Sequence, residues 1–340
     1  MKRNAKYALA LALLLGLTLI VGACGSKDAN TPATGNEASS AGNNTGEQNA
    51  DQNTAEPEAT EREVTDGLGN KVTVPANPQR VIASYLEDHL VALGVTPVAQ
   101  WSIGDGTSLQ GYLQGSLKDV PPIPFDLPFE AVMSFDPDLI ILDSAEMASG
   151  DKYEQYSKIA PTYVVGTEQN NDWRKELLAI GDVLNKSEEA QKALDEYEAK
   201  ATQAKESIQQ ELGEISAAVI WILEKNNFIV SENLSSGDVI YHDLGMKVPA
   251  QVHEISEGAE ANWNPIATEV LAELDADYLF IINDTAVTKE QMQADPIWSG
   301  IPAVKNGHVY EYPRDSSWFY TGVLANSQII DDVLGSIISQ

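Results

Sequence analysis

The residues of this chain that could carry out chemistry are its histidines and carboxylates, and their spacing matches no catalytic motif. The four histidines stand far apart along the chain, at His89, His242, His253 and His308. Zinc sites are usually built from several histidines with a carboxylate, and the sequence shows no such local cluster. It also contains no Gly-x-Ser-x-Gly sequence, no zinc-protease histidine pair and no phosphate-binding loop. A hydrolase would need two carboxylates about 5–10 Å apart, and Glu130 and Glu269 are the candidates for that alternative.

The only cysteine, Cys24, stands where a lipid could be attached. Basic residues near the N-terminus precede an uncharged apolar run over 7–23. This is the layout of a secretory signal, and the Val-Gly-Ala-Cys ending resembles the lipobox of bacterial lipoproteins. We therefore expect a signal peptide over 1–23 and a lipid on Cys24. A transmembrane helix is the alternative, because the run is close to the roughly 20 residues needed to span a bilayer.

The segment 24–60 has the composition of a tether. Between 26 and 60 there is no Val, Ile, Leu, Phe, Tyr or Trp, so this stretch cannot bury enough apolar surface to fold. We expect a lipidated, disordered leash that holds a folded body outside the cell membrane. The length and polarity of the leash favour a Gram-positive bacterium.

The charge balance excludes one class of partner. The chain has 21 Lys and Arg against 51 Asp and Glu, and loss of the signal peptide would lower its formal net charge from −30 to −33. Nucleic-acid binding requires clustered basic residues, so we expect none. With a single cysteine there is no disulfide framework, and a sizeable apolar core must hold the fold.

The remaining chain, 61–340, shows short apolar runs that alternate with helical patterns, which is typical of parallel sheets covered on both faces. A hairpin is predicted from Val64 to Val74, turning at Asp66-Gly67. The other predicted strands are 81–83, 98–101, 139–142, 162–165, 217–223, 278–282 and 309–312. The predicted helices are 86–93, 130–135, 239–244, 267–274 and 326–339.

The clearest helix lies midway, over 187–212, with apolar residues on one face, Ser187 as the predicted N-cap and Gly213 at its end. It is either an ordinary surface helix or a rigid strut between two lobes. We predict an α/β fold of two doubly wound lobes: an N-terminal lobe at 61–186, a linking helix at 187–213 and a C-terminal lobe at 214–340.

Five segments, in order, carry a resemblance to one family. They are Val-Thr-Asp-Gly-Leu-Gly through Val-Pro-Ala-Asn-Pro-Gln-Arg-Val-Ile (64–82), Leu-Gly-Val-x-Pro-Val (93–98), Glu-Ala-Val with Pro-Asp-Leu-Ile-Ile (130–141), Glu-Val-Leu-Ala-Glu-Leu-Asp-Ala-Asp (269–277) and Trp-Ser-Gly-Ile-Pro-Ala-Val-Lys-Asn-Gly with Val-Tyr (298–310). Together they resemble the ABC-transporter solute-binding lipoproteins that capture ferric siderophores, haem or cobalamin. The resemblance implies two lobes joined by one long helix, a monomer, and delivery of ligand to a membrane permease dimer.

The resemblance also gives Glu130 and Glu269 a role. In the family, a glutamate at the start of a short helix on each lobe pairs with arginines of the permease. The alternative for each residue is a favourable charge in the first turn of a helix. Glutamates on separate lobes would not form the acid–base pair of a hydrolase, so we expect no enzyme activity. A protein that feeds a membrane sensor instead of a permease stays open.

A ferric siderophore brings its own iron ligands, so the protein needs no cofactor or metal-ligating residues and only has to recognise the organic shell. A tris-catecholate complex is strongly anionic, whereas ferric hydroxamates are neutral or cationic. After loss of the signal peptide the arginines are Arg62, Arg80, Arg174 and Arg314. With so few arginines, a hydroxamate is favoured. Ferric catecholate, ferric citrate, haem and cobalamin are the alternatives.

The predicted ligand site is aromatic with one arginine. The predicted ligand-binding residues are Trp101 from the N-terminal lobe, Trp221, Arg314 and Trp318 from the C-terminal lobe, and also Tyr85, Tyr241 and Trp263. Trp221 could instead be a core residue, since it stands in an apolar strand. Trp298 is predicted to be structural.

Overall fold

The computed structural model describes residues 61–338, except 105, 169 and 260. The predicted signal peptide, the lipid-bearing Cys24 and the tether lie outside the described residues. Within the described residues, none of the helices has the length and apolarity to cross a membrane.

The described part of the chain alternates strands and helices. The strands are β1 (Arg62–Thr65), β2 (Lys71–Val74), β3 (Val81–Ile82), β4 (Gln100–Ser102), β5 (Pro122–Pro124), β6 (Leu139–Leu142), β7 (Thr162–Val164), β8 (Ala217–Ile222), β9 (Asn227–Val230), β10 (Trp263–Ile266), β11 (Tyr278–Asn283) and β12 (Val309–Tyr312). The α-helices are α1 (Glu87–Ala92), α2 (Gln114–Leu117), α3 (Phe129–Ser134), α4 (Lys152–Tyr156), α5 (Trp173–Val183), α6 (Ser187–Leu212), α7 (Ala250–Ser256), α8 (Thr268–Ala272), α9 (Lys289–Ala294), α10 (Pro302–Asn306) and α11 (Val323–Ile337). Short 3-10 turns cover Gly111–Leu113, Trp298–Gly300 and Ser317–Phe319, and Asp238–Asp243 is a π-helix.

The N-terminal lobe, meaning the described residues before α6, begins with the predicted hairpin. β1 and β2 pair antiparallel with Val64 opposite Val72, and Asp66 accepts backbone hydrogen bonds from Leu68 and Asn70 in the turn. β3, β6 and β7 form a parallel sheet in which every residue is buried. β4 and β5 form a separate parallel pair. The buried apolar strands are therefore parallel here, as the sequence predicts.

The C-terminal lobe, meaning the described residues after α6, contains a five-stranded sheet in the order β10-β9-β8-β11-β12. β8, β11 and β12 are parallel, as predicted, but β9 and β10 run antiparallel at one edge. Both edge strands, β9 and β10, are absent from the strands predicted from the sequence. β9 is short and only half buried, and β10 contains Pro265, which is tolerated at an edge. This sheet is therefore mixed.

The long helix α6 covers Ser187–Leu212, which are the predicted bounds. Its 26 residues correspond to about 39 Å of helix. The predicted apolar face is buried, including Tyr197 and Ile208, and packs against α5 before it and α11 after it. The N-cap prediction was wrong, because Lys186 takes that position and Ser187 is already helical. Since α6 contacts helices from both lobes, it supports the strut interpretation. The exact domain limits stay predictions.

Candidate ligand-binding cleft

A cleft of about 670 Å³ brings residues of both lobes together. The N-terminal lobe contributes Tyr85, from the turn between β3 and α1, and Trp101, from β4. The C-terminal lobe contributes Trp221 from β8, Trp263 from β10 and Arg314 from the loop after β12. Five of the seven predicted ligand-binding residues therefore line one cleft, and their contact with a ligand stays a prediction.

Aromatic rings form two walls of this cleft. The first aromatic wall consists of Tyr85, Trp101 and Tyr320: the ring centroids of Tyr85 and Trp101 are 5.4 Å apart, and that of Tyr320 lies within 6.5 Å of both. Aromatic pairs at these distances attract one another and offer a large apolar surface. Such a wall can pack against an organic ligand.

The second aromatic wall consists of Trp221, Trp263 and Phe319. The Phe319 ring lies 5.0 Å from Trp221 and 5.1 Å from Trp263, and the two tryptophan rings are 6.2 Å apart. β8 and β10 position the tryptophans, with β9 between them in the sheet. The missed edge strands therefore position one wall of the cleft.

Arg314 enters the cleft already paired with a carboxylate. Its Nη1 lies 2.6 Å from Oδ2 of Asp284, and the same oxygen accepts a hydrogen bond from Trp221 Nε1 at 2.9 Å. The Arg314 side chain is 64% exposed, and its guanidinium carbon lies 5.7 Å from the Trp221 ring centroid. Asp315 is the other charged residue among the described residues that line the cleft. The positive charge of the cleft is therefore largely compensated.

The segment 85–88 holds the N-terminal side of the cleft in place. Tyr85 is 41% exposed and adopts a left-handed backbone conformation with φ of 71°, which is uncommon for a residue with a side chain. Two positions later, Oε1 of the fully buried Glu87 accepts the backbone N–H of Trp101 at 2.6 Å. Burial raises the pKa of Glu87 to about 8. The segment therefore presents one aromatic ring and fixes the strand that carries another.

Asp88, the next residue, connects α1 to the C-terminal helix. Its carboxylate accepts the backbone N–H groups of Leu324 at 3.0 Å and Ala325 at 2.9 Å, and the hydroxyl of Tyr112 at 3.0 Å. Leu324 and Ala325 lie in the first turn of α11, whose N–H groups have no partner within the helix. Asp88 thus caps α11 from a distant part of the chain.

The structure contradicts the prediction that Trp318 contacts a ligand. Trp318 is fully buried, its ring lies 4.5 Å from Tyr312 and 5.3 Å from Phe280, and its Nε1 donates to Asp332 at 2.8 Å. A 3-10 turn over Ser317–Phe319 sends consecutive side chains in different directions. As a result, Trp318 packs in the core and its neighbour Phe319 lines the cleft.

Tyr241 is also a core residue rather than a cleft residue. It is buried in the π-helix and its hydroxyl donates to the carbonyl of Ala217 at 3.0 Å. Phe319 and Tyr320, which line the cleft, were not among the predicted ligand-binding residues, although both directly follow Trp318 in the same aromatic run. Trp298, which was predicted to be structural, is buried.

Glu130 and Glu269 lie outside the cleft. Both are exposed and occupy the second position of a short helix, Glu130 in α3 and Glu269 in α8, one on each lobe. This placement agrees with either of the two roles considered above. The permease-docking role stays a prediction.

The histidines are dispersed in the structure as well. His89 faces Glu176, His242 faces Asn233, His253 faces Glu232, and His308 faces the carbonyl of Asp277. Among residues 61–338, as far as they are described, no group of three or more His, Cys, Asp and Glu could hold a metal ion.

Comparison with known proteins relates this architecture to a family. The curated Bacillus subtilis protein YxeB, named an iron(3+)-hydroxamate-binding protein, is 26% identical over 82% of this chain and 86% of its own length. The B. subtilis Fe(3+)-citrate-binding protein YfmC is 26% identical over 79% of this chain and 84% of its own length. The solved FhuD protein from S. pseudintermedius superposes with a TM-score of 0.67 at 20% identity, covering 82% of this chain and 98% of that one, and so shows the same fold. The family described as "Periplasmic binding protein" matches residues 90–316, and this chain belongs to it.

Proposed function

We propose that this protein captures a ferric siderophore that is not strongly anionic and delivers it to an ABC permease for iron uptake. The ligand class favoured is a ferric hydroxamate. The observation that carries the proposal is the aromatic cleft between the lobes in which Arg314, the cationic residue of the described lining, is already paired with Asp284. An apolar cleft with few polar groups suits a complex in which the organic siderophore already supplies all the iron ligands.

Charge supports a hydroxamate over a catecholate. A ferric tris-catecholate would bring several negative charges into the cleft, where Arg314 is the available cation and Asp315 adds a carboxylate. Leaving charges unpaired in a partly buried site is costly. A neutral or cationic hydroxamate complex avoids that cost. Because relatives of similar identity include a citrate-binding protein by name, ferric citrate is the second candidate.

The remaining parts of the proposal concern location and partners. We propose that Cys24 carries a lipid that anchors the protein on the outer face of the cell membrane, and that the exposed Glu130 and Glu269 dock on the permease, one from each lobe. Exposed charges at a rim mainly steer association and set orientation. Replacing both glutamates with alanine should abolish uptake of the ferric siderophore in cells while leaving ligand binding unchanged. A protein that feeds a membrane sensor would not need the permease, so uptake would then not depend on these two residues.

The test is a tryptophan-fluorescence titration of the chain without its signal peptide and with Cys24→Ser. The ligands are ferrioxamine B, ferric enterobactin, ferric citrate, haemin and cobalamin, compared side by side. Tight binding of ferrioxamine B alone is the expected result. Tight binding of the catecholate would overturn the charge argument and keep the transport role. No binding of any of the five would overturn the proposed ligand class.

A further inference from the structure

A second cavity, of about 460 Å³, adjoins the aromatic cleft. The two share Tyr85 and Asn262 in their linings, so these side chains stand between them. The second cavity differs in character, because carboxylates from both lobes line it. We call it the acidic cavity and define it by Asp143 and Glu176 on one side and Asp238 and Asp243 on the other.

Arg174, the arginine that lines the acidic cavity, forms its ion pairs within the cavity with Asp238 and Asp243, which lie on one side. Arg174 lies 2.7 Å from Asp243 and 3.5 Å from Asp238, and its Nε bonds to Glu198 at 2.6 Å. Asp143 accepts from Ser144, and Glu176 accepts from Asn171 at 3.1 Å. Among the described residues, neither Asp143 nor Glu176 forms an ion pair with a lysine or arginine. Among the described residues, lysine and arginine therefore do not compensate these two carboxylates, and Glu176 faces the His89 ring.

Two residues that line this cavity each have a buried side-chain atom without a hydrogen-bond partner. His89 is 2% exposed and its Nδ1 is unpaired, and Ser235 is 4% exposed with an unpaired Oγ. His89 Nε2 faces Glu176 Oε2 at 3.4 Å, so in the neutral ring the proton belongs on Nε2 and Nδ1 offers a lone pair. Buried polar atoms are normally satisfied, so these two atoms indicate a missing hydrogen-bond partner.

The missing partner is best matched by a primary ammonium group. An ammonium carries three N–H donors, no acceptor and one positive charge. Around the acidic cavity stand the carboxylates of Asp143 and Glu176, the buried His89 ring, whose Nδ1 carries a lone pair when the ring is neutral, and the buried Ser235 hydroxyl. A third unpaired atom, Trp173 Nε1, is a donor that water can satisfy. A metal ion fits less well, because the described residues contain no group suited to hold one.

We infer that the acidic cavity binds the protonated amine at the end of a siderophore arm, while the iron-bearing body of the same molecule occupies the aromatic cleft. This rests on the proposed function and narrows it to hydroxamates with a pendant primary amine. Burial, with a contribution from the nearby Glu176, raises the pKa of Asp143 to about 6. A bound cation would relieve that unfavourable burial of charge.

Ferrioxamine B provides a direct test, because it carries such an amine, and its N-acetyl derivative has an uncharged amide in the same place. Both are titrated against the same protein used above. We expect ferrioxamine B to bind about tenfold more tightly, which corresponds to about 1.4 kcal/mol. Asp143→Asn should remove this preference and leave the affinity for the acetylated ligand unchanged. Asp119→Asn, at an exposed carboxylate outside both cavities, is the matched control and should keep it.

The outcomes separate this inference from the proposed function. Equal binding of the two ligands by the unsubstituted protein would overturn the ammonium site and leave hydroxamate capture standing. A preference that survives Asp143→Asn would place the amine elsewhere and overturn this site. If neither ligand binds, the proposed function fails and the inference fails with it. Should Asp143→Asn not fold, Glu176→Gln tests the same side of the cavity.

Discussion

The carboxylate of Asp88 accepts the backbone N–H of Ala325 at 2.9 Å, across 237 residues of sequence. The adjacent Gly322 has no side chain to obstruct this approach: a Cβ there would lie 2.4 Å from Asp88 Cγ. A side chain on the N-terminal helix α1 thus completes the helix that ends the described chain. The cap also accounts for the start of α11 at Val323, three residues before the predicted start.

Loss of this cap should destabilise the protein. Asp88→Ala leaves the N–H groups of Leu324 and Ala325 and the Tyr112 hydroxyl without their acceptor, and we expect a loss of about 2–3 kcal/mol in the free energy of unfolding. Denaturant unfolding measures it, with Asp119→Ala as an exposed control. A loss below about 0.5 kcal/mol would contradict the capping role.

Glu87 should make stability depend on pH. Its carboxyl ionises near pH 4.5 in the unfolded chain but only near 8 in the folded protein. Between these values the folded state holds a proton that the unfolded state has released, so stability falls as pH rises from about 4.5 to about 8. Glu87→Gln keeps an acceptor for Trp101 and cannot ionise.

The Glu87→Gln variant should therefore gain stability relative to the unsubstituted protein as the pH rises. Thermal melting at pH 5, 6.5 and 8 measures the difference. Other titrating groups are common to both proteins and largely cancel. A difference in melting temperature between the two proteins that stays constant from pH 5 to pH 8 would show that Glu87 does not titrate as its burial implies.

Substitutions of two tryptophans should affect different properties, ligand binding for Trp101 and stability for Trp318. Trp101→Ala removes part of the first aromatic wall and should weaken ferrioxamine B binding about tenfold. Trp318→Phe removes the hydrogen bond to Asp332 and part of a packed ring, so it should lower the free energy of unfolding by about 1–3 kcal/mol with little change in affinity. If Trp318→Phe weakened ferrioxamine B binding and Trp101→Ala did not, Trp318 would belong to the ligand site after all.

Asp284 should control which ligand charge the cleft accepts. Asp284→Asn removes the negative charge paired with Arg314 and keeps a side-chain oxygen for Trp221. The freed guanidinium should then favour anions, so the affinity for ferric citrate should rise relative to that for ferrioxamine B. Side-by-side titrations measure the ratio, and Asp295→Asn, outside both cavities, serves as the control. An unchanged ratio would show that Arg314 does not face the ligand.

Helices and strands whose positions depend on local periodicity were predicted well from the sequence. The bounds of α6 were predicted to the residue, with Gly213 directly after its end, and unbroken apolar runs located β6, β8 and β11 within one residue. The strand β4 lies one to two residues further towards the C-terminus than the predicted 98–101, and the helix predicted at 239–244 is a π-helix over Asp238–Asp243. Helix type depends on packing that a short pattern does not specify.

The site was harder to predict, because the direction in which each side chain points, and not its residue type, decides whether it lines the cleft. Trp318 and Phe319 are adjacent and both aromatic, yet one packs in the core and the other lines the cleft. Glu87 and Asp88 look like ordinary first-turn charges, which stabilise a helix from its surface. Their burial depends on β4 and α11, which come from distant sequence, so no local signal distinguishes them.

The segment 85–88 places three separate contacts on four consecutive residues: the exposed ring of Tyr85, the Glu87 bond to β4 and the Asp88 cap on α11. One inserted or deleted residue at the start of α1 would rotate the following side chains by about 100° and break the last two contacts together. During divergence this segment should therefore accept substitutions but keep its length. A change of ligand is more readily achieved by replacing Tyr85 than by remodelling the backbone that presents it.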